Sequence, residues 1–257
     1  MPVATSTIPI MAVDLKFPQP DGRQALLLQV WLSPSFPVGA FAYSHGLERA
    51  AEAGLVTDRE SLAAWMNDLL THGSIHNDLV ILAAAWRTAG RGDQPGLAEI
   101  SELACALHPS AERRLESVTQ GGSFLTAIEA AWPAGQTRGQ TPFGDLANPF
   151  ERGPGSPAPI AYSVAVAIAA CAHKVALLPL LESYATAFAG NLTSAAIRLS
   201  LVGQTDAQRI LAELLPAITA AAKLAQASTL DDLGSATWMA DLCSMQHETQ
   251  YTRLFRS

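Results

Sequence analysis

The sequence predicts an all-α protein, a single helical domain of roughly nine to eleven helices packed as a compact bundle. Apolar residues recur at three- and four-residue spacing, the pattern of an amphipathic helix. The clearest such stripe is Leu62, Trp65, Met66, Leu69 and Leu70. No segment alternates between apolar and polar residues, and β-branched residues do not cluster, so strands are not predicted. The chain is 49% hydrophobic and 15% charged, and its many alanines favour close packing of helix on helix.

Turn and capping residues define the predicted elements of the first half of the chain. Residues 1–22 mix Pro, Thr, Gln and Gly without a period and are expected to form a flexible arm. Ser33-Pro34 should end the first helix, because a residue before proline avoids helical geometry. A capping box at Thr57 and Glu60 should start another helix. The predicted helices here are 24–32, 39–52 closed by Gly54, the stretch after Thr57, 77–88 closed by Gly90, 97–107 and 110–131.

The second half of the chain follows a segment dense in proline and glycine, residues 133–159. A loop of this length is expected to be functional or mobile. Residues 160–178 are apolar and long enough to span a bilayer, but His173 and Lys174 interrupt them, so a buried soluble helix is the better interpretation. The other predicted elements are a helix over 180–202, a second capping box at Thr205 and Gln208, and a helix from about Leu230 into the C-terminal tail, residues 245–257. Residues 23–257 are expected to form the single domain.

The net charge and the cysteine spacing limit the classes of function that the sequence supports. The net charge is −7 and the pI is near 5.3, which disfavours nonspecific binding to nucleic acid or to an anionic membrane. Cys105, Cys171 and Cys243 lie far apart with no CxxC pairing, so a reducing, cytoplasmic location is expected. The N-terminus shows no basic region followed by a long apolar block, so no secretory signal is predicted.

Three kinds of site chemistry can be considered and are not favoured. Pairs of metal-ligating residues three or four apart can share a helical face, but each is only a pair, so we expect no dedicated metal site and no cofactor. Ser44, His45 and Glu48 include the residue types of a triad, but such neighbours point in different directions on a helix. Gln120 to Ser123 contains two glycines without a preceding strand or a following GK[ST], so close helix contact or a kink is favoured over phosphate binding. The metal-ligating pairs are His72 with His76, Cys105 with His108, and Cys243 with His247.

The C-terminal tail is rich in residue types that dominate protein interfaces. If the tail is helical, Tyr251, Leu254 and Phe255 form an apolar patch at i, i+3 and i+4, as in helices that dock in grooves. Packing of the tail on its own domain and docking on a partner are about equally supported by the sequence. The turn residues 33–39 likewise run directly into a polar aromatic cluster at 43–48.

Three motifs, in normal order and spacing from about Leu26 to Ser257, resemble the urease accessory protein UreF family. They read SPSFPVGAFAYSHGLE, NLTSAAIRLSLVGQTDAQRIL and MQHETQYTRLFRS. The resemblance implies an all-α protein without catalytic activity of its own. It implies a dimeric adaptor that acts with UreD, also called UreH, and with the GTPase UreG to deliver nickel to apo-urease.

The family's motif residues carry over onto this chain with few departures. Ala40 stands where the family usually has a second glycine and Ala42 where it usually has serine, while Tyr162-Ser163 replace a usual Phe-Gly. Alanine is tolerated at a glycine position only where φ is below zero. The candidates for partner binding are Tyr43, Ser44, His45, Glu48, Arg198, Gln204, His247, Glu248, Tyr251, Arg253, Leu254 and Phe255.

These readings combine into one hypothesis with two alternatives. We expect Tyr43, His45 and Glu48 to lie near the tail or its docking surface, with Arg253 pairing to a carboxylate or a backbone carbonyl. The first alternative is a carrier that binds nickel through the His and Cys pairs. The second is a helical enzyme that uses Ser44, His45 and Glu48. The adaptor is preferred to the carrier, and the carrier to the enzyme.

Overall fold

The computed structural model of the protein describes residues 22–133 and 159–257. In these two stretches the chain folds into α-helices without a β-strand, so the all-α prediction is confirmed. Most of the predicted arm and of the Pro/Gly-rich segment lies outside the described residues. The helices are α1 (Gly22–Trp31), α2 (Leu47–Glu52), α3 (Arg59–His72), α4 (Ser74–Gly90), α5 (Gln94–Ala106), α6 (Ala111–Ala131), α7 (Tyr162–Ala172), α8 (Leu177–Arg198), α9 (Gln204–Ala227) and α10 (Trp238–His247), with short 3₁₀ helices at Ala40–Ala42 and Leu230–Asp232.

Helix α4 lies at the centre of the bundle and packs against α3, α5, α7, α8 and α9. It buries apolar side chains on most of its circumference, among them Ile75, Leu79 and Leu82. Burial of a Leu or Ile side chain stabilises a fold by about 1.5–3 kcal/mol, so this helix contributes a large share of the hydrophobic core. The outer helices complete one continuous core that also takes in α10 and the tail residue Phe255.

Helix α7 is buried without interruption from Ser163 to Ala170. Its alanines let α4 and α6 approach on either side. Gly121 of α6 contributes to this contact, because a Cβ there would overlap the carbonyl oxygen of Ile160 and stand 3.1 Å from the carbonyl carbon of Ala161. Gly121 therefore lies in a close contact between α6 and the start of α7, the interpretation favoured over phosphate binding.

The predicted helix over 39–52 is wrong in its first half. Gly39 and Gly46 have φ values of 72° and 77°, and His45 between them has φ 58°. A right-handed helix cannot pass through residues with positive φ. The segment therefore forms a 3₁₀ turn and an extended residue before α2 starts at Leu47. The predicted closing residue Gly54 does adopt the left-handed conformation, with φ 71°.

The predicted helix over 160–178 is two helices. Helix α7 ends at Ala172, and Lys174 adopts φ 59°. The N–H groups of Lys174 and Val175 donate to the carbonyls of Cys171 and Ala170 and close the helix end. Helix α8 then starts at Leu177 and ends at Arg198, earlier at both ends than the predicted 180–202.

Several predicted starts and caps are also displaced. Asp58 and Ser61 form the capping box of α3, one residue beyond the predicted Thr57 and Glu60. The capping box at 205–208 is wrong, because α9 already starts at Gln204 without a side-chain cap. Residues 230–232 form a separate 3₁₀ helix, and the final helix starts only at Trp238.

One helix of the described ranges, α9, is long and apolar enough to span a membrane by length and composition. A third of its most apolar window, 33%, is buried in the fold. The segment that the sequence singled out, 160–178, is broken at residues 173–176, and each piece belongs to the buried bundle. A single helix of this kind is weak evidence for a membrane span, because core helices of soluble proteins have the same properties.

Candidate functional site: the Glu48 network and the C-terminal tail

The polar aromatic cluster at 43–48 lies against the C-terminal tail. Gly46 caps the N-terminus of α2 with φ 77°, and a Cβ on it would stand 2.9 Å from the backbone nitrogen of Ser244 in α10. Glycine is thus required here by both backbone conformation and space. The close approach brings α2 against α10 and turns Glu48 toward the last residues of the chain.

Glu48 is a buried carboxylate that organises the tail. Its Oε1 accepts the backbone N–H of Leu254 at 2.6 Å, and its Oε2 accepts that of Phe255 at 2.9 Å. The same Oε2 lies 3.2 Å from Nε2 of His247. Three donors on one carboxylate satisfy its hydrogen-bonding capacity inside the protein. The tail is therefore held through its backbone as well as through its side chains.

His247 is completely buried between two carboxylates. Its Nε2 faces Glu48 and its Nδ1 lies 2.6 Å from Oε2 of Glu112. Arg253 of the tail pairs with the other oxygen of Glu112. His247 and Arg253 therefore connect α2, α6, α10 and the tail at this junction.

The end of the tail returns to the 41–44 segment. The Ser44 side chain and backbone N–H both donate to the main-chain oxygen of Ser257 at 2.6 Å, and the N–H of Arg256 donates to Ala42 at 2.8 Å. Phe255 is buried, and the guanidinium of Arg198 stands 4.3 Å from its ring centroid. Arg198 also donates to the carbonyl of Phe41. The tail is thus folded onto its own domain.

A second buried polar group lies beneath this contact. Glu116 of α6 pairs with Arg113, lies 3.2 Å from Nε2 of His45, and accepts from Gln120 and from the hydroxyl of Ser257. Burial, followed by the positive charge of Arg113 and the neighbouring His108, holds the pKa of His45 well below its usual 6.5. His45 is therefore neutral, and its Nε2 lies between Glu116 and Nη1 of Arg113, which stands 3.5 Å away.

The structure brings most of the sequence-predicted site residues together and leaves one apart. The buried members of the network are Tyr43, Ser44, Glu48, His247 and Phe255, while His45 is partly buried and Arg198 lies against Phe255. The exposed members are Glu248, Tyr251, Arg253 and Leu254. Gln204 is exposed at the start of α9, and no described contact joins it to the network. The tail was expected to form an apolar patch only if it is helical. It is not helical, because the last helix ends at His247.

Sequence reasoning missed the acidic partners that α6 supplies. Glu112, Arg113 and Glu116 follow the helix cap Ser110 and are largely buried. A charged triplet at the start of a helix is usually solvated, so nothing in the pattern marked these residues. Glu248 was expected at the interface. It accepts the backbone N–H groups of Ala111 and Glu112 at the same helix start, a favourable place for a carboxylate.

The groups once considered for nucleophilic catalysis have structural partners instead. The hydroxyl of Ser44 donates to the Ser257 carbonyl and accepts from the N–H of Glu48 at 3.3 Å. The ring of His45 faces Glu116, and Glu48 is bound to the tail. In this geometry Ser44 has no neighbouring base to remove its proton, which a serine nucleophile needs.

The pairs considered for metal binding do not form shared ligand faces. Gly73 separates α3 from α4, so His72 and His76 are on different helices. His108 likewise follows the end of α5 rather than sharing it with Cys105. On α10 both ring nitrogens of His247 are already held by carboxylates. Among residues 22–133 and 159–257 no group of three or more His, Cys, Asp or Glu has metal-binding geometry. The nickel-carrier alternative gains no support from this arrangement.

The similarity of this chain to known proteins agrees with the geometry. The family model of UreF matches residues 56–215, more than half of the chain. The chain belongs to the UreF family of urease accessory proteins. Involvement in urease maturation follows from that membership.

Whole-length relatives support the family assignment. Each of the following is described as urease accessory protein UreF. The Azorhizobium caulinodans protein is 49% identical over 91% of this chain and 95% of its own length. The Xanthobacter autotrophicus protein is 51% identical over 92% of this chain and 93% of its own. The Methylobacterium radiotolerans protein is 47% identical over 93% of this chain and all of its own, 100%.

Within the UreF family, the departures noted in the first motif are accommodated by the backbone. Ala40 is the first residue of the 3₁₀ turn and is not among the residues with positive φ. The condition for replacing glycine by alanine is therefore met. Ala42 uses its carbonyl, not its side chain, to accept from Arg256. Tyr162 starts α7 and its N–H donates to Ser117 of α6.

Asp78 of α4 is a half-buried carboxylate outside the tail network. Its only described hydrogen bond is a 3.3 Å contact with the hydroxyl of Tyr184. Burial raises its pKa from 3.8 to about 6, against the opposing effects of Arg113 and Tyr184, with Glu116 adding to the rise. Asp78 lines an internal cavity, so part of its surface remains accessible and the residue is only half-buried.

We expect Asp78→Asn to stabilise the protein at pH 7.5 by about 2–3 kcal/mol, the equivalent of a two-unit rise in pKa. Because the folded pKa is raised, the folded state binds more protons between pH 4 and 6, and the stability due to Asp78 is lost as pH rises through that window. The advantage of the variant should therefore disappear near pH 4. Urea unfolding of both proteins in sodium buffers measures the difference. Equal stability at pH 7.5 would contradict the prediction.

Proposed function

We propose that this protein is a non-catalytic adaptor of urease maturation in the cytoplasm. In this proposal it works as a homodimer, with residues 23–257 as one domain and without a cofactor. It joins UreD (UreH) and the GTPase UreG and supports GTP-dependent insertion of nickel into apo-urease. Family membership supports a role in urease maturation. The internal partners of Ser44, His45 and Glu48 support a role other than catalysis.

The observation that carries the proposal is the way in which the tail displays its side chains. The backbone of Leu254 is held by Glu48, while its side chain is 54% exposed. Tyr251 is fully exposed, and Arg253 pairs with Glu112 at the edge of the network. A backbone that is already ordered lowers the conformational entropy that is lost on binding. In this proposal the exposed tail residues contact a partner and the buried ones position them.

The outer face of α10 extends this surface. Its inner face, with Ala240, Cys243 and His247, is buried. Its outer face carries large apolar side chains at helical spacing, and it runs directly into the tail. The exposed residues are Trp238, Met239, Leu242 and Met245. Contiguous exposed apolar side chains of this kind are typical of protein-binding surfaces. We propose that α10 and the tail together form the docking surface.

The double variant Tyr251→Ala, Leu254→Ala should weaken recruitment of UreD, and of UreG through it, by about tenfold or more. Neither side chain contributes to the core, so circular dichroism should show unchanged helix content. Affinities measured by biolayer interferometry with immobilised UreD, with and without UreG, test the expectation. Leu224→Ala on α9 is a matched control, because Leu224 is 56% exposed. Wild-type affinity of the double variant for both partners would rule out this docking surface.

Tyr43→Ala and Arg253→Ala test the positioning residues. The Tyr43 phenol is hydrogen-bonded to Arg256, and Arg253 pairs with Glu112, so each replacement removes one contact of the tail. Both should reduce co-purification of UreD and UreG without loss of helix content. Size-exclusion chromatography with light scattering, of the protein alone and with the two partners, reports recruitment and the proposed dimer together. Unaffected recruitment by both variants would show that the site is wrongly assigned.

A further inference from the structure

A small cavity with both apolar and polar lining side chains lies beneath the 32–40 turn, between α4, α6 and α8. Its volume is about 70 Å³. One water molecule needs about 10–15 Å³ of such space, and a benzene-sized cavity is about 150 Å³, so this one suits a guest of very few atoms. Ser33, Pro34, Asp78 and Arg113 are among the residues that line it. The proposed docking surface does not use it.

The charges that line the cavity leave one negative charge in excess. Arg113 and Glu116 form a buried ion pair and neutralise each other. Asp78 is the second carboxylate, and it has a single long hydrogen bond from Tyr184. Burial raises its pKa to about 6, and the positive charge of Arg113 only partly opposes that rise. At neutral pH the carboxylate is nevertheless charged, so a bound cation would be favoured.

The remaining polar atoms favour a guest that donates hydrogen bonds. His45 lines the cavity, its side chain is 9% exposed, and its Nδ1 has no partner. The His45 tautomer that carries its proton on Nε2, toward Glu116 at 3.2 Å, leaves Nδ1 as an acceptor. The aromatic side chains of Tyr162, Tyr184 and Phe188 form walls. Ring faces attract compact cations, and ammonium cations in particular.

Other classes of guest fit less well. An anion would face the excess carboxylate, and the guanidinium of Arg113 is already paired. A transition metal prefers three or four ligands from histidine, cysteine or carboxylate. The described residues contain no such group of three, although His45, His108 and Asp78 all line the cavity.

We propose that this cavity is a binding site for a small N–H-donating monocation, with the ammonium ion as the fitting ligand. Asp78 supplies the charge, His45 Nδ1 an acceptor and Tyr184 and Phe188 the ring faces. The proposal is independent of the adaptor function, since it concerns the interior beneath the 32–40 turn and not the exposed tail.

Thermal unfolding at constant chloride concentration tests the site with ammonium chloride as the probe, at pH 7.5. At an ammonium concentration about five times its Kd, the Tm should rise by about 2–4 °C relative to sodium chloride. Asp78→Asn should abolish this increment while the variant remains folded. Glu99→Gln, which removes an exposed carboxylate on α5, is the matched control and should keep the full increment. Methylammonium should give a smaller increment and tetramethylammonium none, because the cavity is small.

Three outcomes would overturn the proposal. Equal Tm values in sodium, potassium and ammonium chloride would mean that the cavity holds only water. An equal rise with potassium and ammonium would show a site without preference for N–H donors. A rise with micromolar nickel that Asp78→Asn removes, with no ammonium effect, would identify a metal site. Binding can also be measured directly by NMR. The signal of ¹⁵N-ammonium should broaden or shift when the wild-type protein is added and should not change with Asp78→Asn.

Discussion

Replacing Glu48 by alanine should lower the free energy of unfolding by about 3–5 kcal/mol and release the C-terminal tail. The substitution removes the acceptor of two backbone N–H groups, those of Leu254 and Phe255, and one of the two carboxylates that face the buried His247. Unsatisfied buried donors cost more than the hydrogen bonds themselves contribute, because water cannot replace the lost partner. The tail should therefore leave its site before the bundle unfolds.

Urea denaturation measures the loss of stability, and hydrogen exchange at residues 250–257 measures the release of the tail. Glu52→Ala is the matched control on the same helix. Its carboxylate is exposed and pairs only with Arg49, so a change within about 0.5 kcal/mol is expected. Glu48→Gln keeps one acceptor and should fall between the two. A Glu48→Ala protein with native exchange protection in the tail would contradict the role assigned to this carboxylate.

Gly121→Ala should destabilise the protein by about 2–4 kcal/mol through overpacking of one methyl group. A Cβ at this position would overlap the carbonyl oxygen of Ile160, and backbone atoms cannot move aside as a flexible side chain can. The contact between α6 and the start of α7 would have to open, and α7 is the most completely buried helix of the described fold. Calorimetry should show a lowered Tm with helix content retained at low temperature.

Gly190→Ala is the matched control for this prediction. Gly190 also lies inside a helix, α8, but nothing stands within 4 Å of a Cβ built on it. Alanine has the higher helix propensity by about 0.8–1.0 kcal/mol, so this variant should be slightly more stable than the wild type. If Gly121→Ala were as stable as the wild type, the contact between α6 and the start of α7 would have to be looser than in the structure.

Local signals in the chain were sufficient for the fold class and for the existence of most helices. Apolar spacing identified α3, and Pro109 and Ser110 marked the start of α6. Three of the wrong boundaries lie where a residue other than glycine takes positive φ, at His45, Lys174 and Ser200. Helix-closing hydrogen bonds and tertiary packing stabilise these strained conformations. Because packing depends on the whole fold, a local sequence pattern does not predict them.

The sequence predicted the residues of the candidate site and part of its contacts. It placed the motif at 43–48 near the tail, about two hundred residues away, and paired Arg253 with a carboxylate or a carbonyl, and the structure has both contacts through Glu48 and Glu112. The partners contributed by α6, Glu112 and Glu116, looked like an ordinary solvated helix start. Their importance depends on burial, which arises only when α2, α6 and α10 pack together.

The sequence alone determined that this protein is a bundle of helices and placed it in the UreF family, because apolar periodicity, helix-ending glycines and linear motifs are local properties of the chain. Only the tertiary structure decided which polar residues are buried partners and which are displayed. Glu48 and His247 are hidden, whereas Tyr251 and Leu254 face outward. The reason is physical: the cost of burying a charge and the benefit of pairing it depend on neighbours that are distant in the chain and close in space.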